Sequence, residues 1–283
     1  MGNKKNSNTI INVSDVKEAI EMIAPPTLQE SWDNSGLIIG YEYSHVNKIM
    51  TCLEINNDVL EEALKKNVDM IVTHHPLIFG AIRSLCTSKF KENIIMRLIS
   101  SGISVYSCHT PFDKVKGGNN DIIAEKLGLT AVKNLCGEDV GTAARMAEKP
   151  NEADIGRIGE FRKPMKLKEV IDHISGELEL SLRQINIVGS LELDISRVGI
   201  CTGAGADLLE MAANAGCDLF ITGDVKYHEA QTARELGICL IDAGHYGTEK
   251  FFGTEMKDKL SAQLGDRIEI IASEMNLDPF QVL

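Results

Sequence analysis

Two stretches of this chain, ALKKNVDMIVTHHPLIFGA (63–81) and MAANAGCDLFITGDVKYHEA (211–230), read as one unit written twice. Each leaves a helix, passes through a short apolar strand and enters a polar segment. Asp69 falls opposite Asp218, and Thr73 opposite Thr222. Further on, ISVYSCHTPFD (103–113) lines up with ICLIDAGHYGTE (238–249) when one residue is gapped. His109 and Asp113 then stand opposite His245 and Glu249, as H-x3-D in one half and H-x3-E in the other. Any two α/β halves share a pattern of apolar strands, but matching polar residues at strand ends argue for an internal duplication. The period is far longer than that of a solenoid repeat.

The segments around these units alternate in the same way. Helical patterns at SDVKEAIEMIA, NDVLEEALKKN, SKFKENIIMRLISSG and GGNNDIIAEKLGL separate the strand-like runs KIMTCLEI, VDMIVT and ISVYSCHT. The second half repeats the scheme, from SRVGICTG to DRIEIIAS. Strands alternating with helices predict crossover units and mostly parallel sheets. The expected class is α/β, with two similar, duplicated domains at 1–130 and 157–283. Polar residues 131–156 form a linker or exposed hairpin between them, and the C-terminal segment packs back on the first domain.

Composition narrows the partners. With 43% hydrophobic and 25% charged residues, the chain has the makings of a soluble core. A formal net charge of −12 disfavours nucleic acid, whose phosphates call for a basic footprint. The apolar runs are too short for a membrane span. The seven cysteines are scattered without a CxxC pair, which fits reduced thiols in a cytoplasmic protein. None has the neighbours of a nucleophile. The start MGNKKNS misses a myristoylation site by one position, and residues 1–10 read as a polar tail.

Chemistry concentrates where strands end. A parallel sheet places its sites beyond the carboxyl ends of its strands. His74 and His75 lie at one such end, His109 with Asp113 at a second, and His245 with Glu249 at a third. If those strands are neighbours, about six imidazole and carboxylate groups converge. That donor set suits Zn, Fe, Mn or Co, and two to three groups per ion makes two divalent ions per chain the expectation. Taken singly, each residue has a plainer explanation: a satisfied core histidine, a turn aspartate, a first-turn carboxylate at a helix N-terminus. The set together favours metal.

Three further features stay open on sequence alone. TGAGAD (202–207) is either an anion-holding turn or a tight strand-to-helix connection. WDNSGL contains the single Trp, and either caps a pocket with Asp33 as acceptor or fills core space with Trp32. Lys226 and His228 follow a strand end and either line the crevice or sit on a helix surface.

The motifs PPTLQESWDNSGLIIG, VTHHPLIFG, HTPFD with GGNNDIIAEKLGL, TGAGADLLEMAANAGCDLFITGDVKYHEA and IDAGHYGTEKF together resemble the Ngg-interacting-factor-three-like family. Its members often carry the name GTP cyclohydrolase I type 2. The resemblance runs from about residue 13 to 272. It implies two similar α/β domains with a dinuclear metal centre between them, assembled into a toroidal homohexamer. Carried over by position, it implies His74, His75, Asp113, His245 and Glu249 as metal ligands, with His109 close by for proton transfer or substrate contact. Pro111-Phe112 stands where the family often has a polar residue, which makes the surroundings of Asp113 more apolar. The short 131–156 stretch leaves no room for the extra mid-chain domain of some relatives.

The expected activity is metal-dependent hydrolysis of a small molecule, a nucleotide or purine-like ring, with His109 or His228 shuttling protons. The rival expectation is a non-enzymatic, metal-binding scaffold or regulatory protein built on the same ligands.

Overall fold

The computed structural model describes residues 10–135 and 155–282. Strands among them are β1 (Gly36–Ile39), β2 (Lys48–Cys52), β3 (Met70–Thr73), β4 (Ser104–Ser107), β5 (Thr130–Asn134) and β6 (Arg157–Lys166). They continue with β7 (Asn186–Val188), β8 (Asp194–Ile200), β9 (Leu219–Thr222), β10 (Cys239–Asp242) and β11 (Glu269–Ala272). The chain forms two compact units. The first holds residues 1–109 and 252–276, the second 110–251 and 277–283.

The first unit has one five-stranded sheet in the order β1-β4-β3-β2-β11. β4, β3, β2 and β11 run parallel, and β1 closes one edge antiparallel. β3 is buried along its whole length, which is why MIVT reads as an unbroken apolar run. Helix Asn57–Lys65 is capped by the Asn56 side chain, which accepts from the Val59 N–H at 2.9 Å. Helix Phe252–Leu264 is tied to β2 by the Thr51 hydroxyl, which donates to the Gly253 carbonyl at 2.6 Å.

The second unit has a six-stranded sheet in the order β5-β6-β8-β9-β10-β7. Its centre, β8-β9-β10, is parallel, whereas β5, β6 and β7 pair antiparallel. Val198, Ile200, Leu219, Ile221 and Ile241 from this centre pack on Val170 and Ile174 of helix Leu167–Glu177.

The duplication is visible down to single hydrogen bonds. Asp69 accepts from the backbone N–H groups of Asn47 and Lys48 at 2.8 and 3.0 Å. Asp218 accepts from those of Ser196 and Arg197 at 2.9 and 2.8 Å. In each unit this carboxylate stitches the start of one parallel strand to the next. Thr73 donates to the Leu53 carbonyl at 3.0 Å, and Thr222 to that of Gly203 at 3.2 Å. The turn before the strand needs a left-handed residue both times, Asn67 with φ 52° and Gly216 with φ 75°. The added antiparallel strand beside β4 and β10 is β1 in one unit and β7 in the other.

The compact units depart from the expected boundaries at 130 and 157. The first unit gives way to the second at His109/Thr110, inside the H-x3-D motif, and takes up helix Phe252–Leu264 and β11 from the C-terminal part. The reason is local: helix Asn119–Lys126 and β5 pack with β6 and β8, so their apolar faces are buried in the second unit. Of the expected 131–156 linker, residues 131–134 belong to β5, paired antiparallel with β6, and 136–154 lie outside the described residues. Residues 1–9 of the expected tail, and Cys136, also lie outside them. No helix among the described residues is long and apolar enough to cross a membrane.

Candidate metal centre

In the first unit the end of β3 delivers two adjacent imidazoles. The His74 and His75 backbone N–H groups bond to the carbonyls of Cys52 and Leu53 at 3.2 and 2.9 Å, extending the strand ladder past Thr73. His74 is fully buried, with its ring 4.9 Å from that of Phe252. Its Nδ1 lies 2.9 Å from the Cys108 carbonyl oxygen, which only accepts. Nδ1 is therefore the donor in this bond.

His109 closes the group. Its Nδ1 lies 2.8 Å from Asp33 Oδ1, and its backbone N–H donates to Ser35 Oγ at 3.0 Å. Asp33 is itself fixed by the Asn34 N–H at 2.7 Å and the Ser35 hydroxyl at 2.8 Å. WDNSGL thus acts as an orienting loop. Trp32 does not fill the core; it is 51% exposed, with its ring 5.9 Å from His109 and 6.0 Å from Phe79. One ring nitrogen from each of His74, His75 and His109 lies within 4.8 Å of the other two.

In the second unit the donors are mainly carboxylates. Asp113, in the short helix Thr110–Lys114, is buried at 5% exposure, and its Oδ1 accepts from Asn119 at 2.8 Å. Asn120 ties the same region to the β8 end: its Nδ2 donates to the Asp113 carbonyl at 3.0 Å, and its Oδ1 accepts from the Thr202 N–H at 2.9 Å. The fully buried Arg157 donates to the Lys114 carbonyl at 2.6 Å and to Asp121 Oδ1 at 3.1 Å, fixing the end of the Asp113 helix.

His245 and Glu249 occupy the ends of one short helix, four residues apart and therefore on one face. His245 Nε2 lies 3.1 Å from Glu249 Oε2, and His245 Nδ1 lies 2.7 Å from Asp224 Oδ2. Glu249 is 3% exposed. A carboxylate oxygen of Glu249 lies within 4.8 Å of one of Asp113. Burial, and then the nearby charges of Asp113 and Glu249, raise the Cys201 thiol well above its ordinary range.

The TGAGAD turn supports this cluster and presents no anion cradle. The Gly203 N–H donates to Thr248 Oγ1 at 2.9 Å, and the Gly205 N–H to Thr222 Oγ1 at 3.0 Å. Gly203 sits at φ +65°, and a Cβ there would collide with Glu249 Oε1 and come within 3.2 Å of His245 Nε2.

The expected residues divide as follows. His74, His75 and His109 come together in the first unit, and Asp113, His245 and Glu249 in the second. Lys226 and His228 stand on the exposed start of helix Tyr227–Leu236, outside both groups. His45 bonds Asn12 at 3.0 Å and His173 bonds the Leu127 carbonyl at 3.1 Å, as structural histidines do. Sequence reading missed Asp224, Asn119 and Arg157. Only the GGNN and TGD clusters after or before strand ends hinted at the first two.

Both groups suit a divalent cation. Two buried carboxylates this close repel one another and lose hydration, and a cation offsets both costs. His74, His109 and His245 are held through Nδ1 by a carbonyl or carboxylate, the arrangement that orients imidazole ligands.

The chain matches the family model Duf34/NIF3 (NGG1p interacting factor 3) over residues 11–279. It is 36% identical over 274 residues to the GTP cyclohydrolase 1 type 2 homolog of Clostridium acetobutylicum, covering 96% of this chain and 98% of the relative. It is 30% identical over 279 residues to the Protein NIF3 homolog of Schizosaccharomyces pombe, covering 95% and 98%. Among solved structures, the Bacillus cereus protein related to NIF3 superposes with a TM-score of 0.86 at 23% identity, covering 97% of this chain and 99% of that one.

Proposed function

Because this chain belongs to the Duf34/NIF3 family, we propose that it holds two divalent metal ions through His74, His75, Asp113, His245 and Glu249 and uses them to hydrolyse a small molecule. The observation that carries this reading is the donor chemistry: buried carboxylates and Nδ1-anchored imidazoles at equivalent strand ends of two duplicated units. When bound, divalent ions supply Lewis acidity to an electrophile and favour ionised oxygen nucleophiles near neutral pH.

The protein's own groups supply the setting. Asp224 and the Cys108 carbonyl fix imidazole tautomers, Asn119 aims the Asp113 carboxylate, and the Gly203 turn leaves space for Glu249. The relatives' names point to a purine nucleotide as the substrate class. An acidic chain accepts such an anion if the cations balance its phosphates locally. The test is metal-dependent turnover of a nucleotide panel by wild type and Asp113→Asn. Loss of turnover in a variant with unchanged melting and circular dichroism supports the proposal; no turnover by metal-loaded wild type refutes it.

The scaffold reading has one observation in its favour. Tyr41, Tyr43, Phe90 and Ile99 of the first unit are 82%, 84%, 64% and 52% exposed, beside a mostly apolar groove of about 650 Å³. Patches of this kind mark contact surfaces, which fits a homo-oligomer such as a hexamer. Sedimentation of wild type against Tyr43→Glu checks it: a shared monomeric mass for both would remove this support.

A further inference from the structure

The run of chain after the paired histidines opens a groove that contains none of the proposed metal donors. In the second unit only residues 223–226 separate β9 from helix Tyr227–Leu236, which packs against β7. In the first unit the longer run 74–89 separates β3 from helix Phe90–Ser100. A cavity of about 650 Å³ lies between that helix and β1, the counterpart of β7. We propose that this cavity binds the monomeric anion of a fatty acid, with the alkyl chain in the groove and the carboxylate on Arg83.

Three observations carry it. First, the walls suit a saturated chain. Ile39, Ile82, Leu85, Ile95 and Ile99 line the cavity, and among the described residues Tyr41 is the one aromatic ring on it. Ile39 and Ile95 are buried, whereas Ile82, Leu85 and Ile99 are 36%, 49% and 52% exposed. An alkyl chain laid between them takes this aliphatic surface out of water and needs no planar face to stack on. The volume falls within the roughly 300–1,000 Å³ of small-molecule pockets.

Second, the charge on the cavity is complementary to a carboxylate. Among the described residues Arg83 is the one charged side chain lining it, and it has no hydrogen-bond or ion-pair partner among them. The chain has 41 acidic residues against 29 basic ones, so a guanidinium without a carboxylate is a site kept for an external anion. Ser84 also lines the cavity and accepts from Lys89 Nζ at 3.0 Å, which brings a second cation to this end. A guanidinium matches a carboxylate through two parallel N–H···O bonds. The net charge of −12 repels an anionic membrane surface, which favours the free acid over a bilayer as the source.

Third, the fold itself does not call for the cavity. The second unit pairs β7, β10 and β9 as the first pairs β1, β4 and β3, and it sets a helix directly on β7. The run PLIFGAIRSLCTSK (76–89) brings Ile78, Ile82, Arg83, Ser84 and Leu85 to the cavity in one stretch, apolar and cationic groups together. The exposed rings of Tyr43 and Phe90 are not on its lining and are left for protein contact.

The test titrates the full chain by calorimetry with octanoate, decanoate and dodecanoate below their micelle concentrations, and with decan-1-ol. Wild type should bind one dodecanoate per chain, and each added methylene should tighten binding by about two- to four-fold. Ile82→Asp puts a carboxylate into the groove and should abolish binding. Arg83→Gln should weaken decanoate by about three- to five-fold and leave decan-1-ol unchanged. No saturable binding to wild type, no gain with chain length, or wild-type binding by Ile82→Asp would overturn the assignment. An Arg83→Gln variant that changes acid and alcohol equally would overturn the anionic class. A wild-type oligomer that binds no acid, and that Ile82→Asp dissociates in sedimentation, would give the groove to a second copy and overturn it too. Arg83 is exposed, so Arg83→Gln decides if Ile82→Asp fails to fold.

Discussion

Gly203→Ala separates the cost of backbone strain from the cost of crowding the proposed metal ligands. Gly203 and Gly237 both lie in the left-handed region, at φ +65° and +74°. A Cβ at Gly237 meets nothing within 4 Å, so alanine there pays only for the dihedral, about 1–2 kcal/mol. At Gly203 the same strain applies, and the new methyl also collides with Glu249 Oε1. Glu249 is buried at 3% exposure, so its carboxylate has no open solvent beside it to move into. Both variants should therefore melt lower, by roughly 2–8 °C at about 2–4 °C per kcal/mol. Only Gly203→Ala should also lose metal affinity, by about 10-fold or more, since the Glu249 carboxylate, a proposed ligand, must move. The assays are thermal melts of the apo proteins and zinc titration with a competing chelator. Wild-type zinc affinity in Gly203→Ala, or equal affinity loss in Gly237→Ala, would refute the reasoning.

Three other outcomes follow from packing and charge. Burial raises the Glu62 carboxyl, but hydrogen bonds from Lys66, Ser273 and the Glu274 N–H outweigh it and hold it below its usual 4.5. Its stabilisation is present above that value and lost as pH falls through the lower folded one, so Glu62→Gln should cost about 1–3 kcal/mol at pH 7 and progressively less below 4.5 in melts across pH. Arg157→Met leaves Asp121 without its buried guanidinium and should lower stability by about 3 kcal/mol, read as a melting drop of roughly 6–12 °C. Burial pushes the Cys52 and Cys217 thiols up to about 12, so at pH 8 iodoacetamide should label the half-buried Cys86 well before either, as mapped by peptide mass spectrometry.

The sequence carried the repeat and the gathering of imidazoles and carboxylates at strand ends well because both depend on short-range patterns. Asp69 and Asp218 mark the same place in two strands, and the H-x3-D and H-x3-E spacings put their carboxylates in helices that begin at or beside the histidines. What it hid depends on long-range partners. Nothing local announces that Asp33, 76 positions before His109, is the carboxylate that holds it. Arg157 begins an ordinary strand pattern, and only the fold reveals a fully buried guanidinium clamping the end of the Asp113 helix. The boundary at His109/Thr110 is equally silent, because helix Asn119–Lys126 has an ambiguous apolar face that either unit would accept on pattern alone. His228, which also follows a strand end in sequence, stands in the exposed first turn of its helix, outside the groups that gather the other strand-end histidines.

Metal content per chain tests the central claim most directly. Wild type and His245→Ala are expressed, stripped, reconstituted with Zn²⁺ and analysed together by inductively coupled plasma mass spectrometry. The account predicts about two ions per wild-type chain and fewer in the variant, with both proteins folded. No ion retained by folded, reconstituted wild type would contradict it.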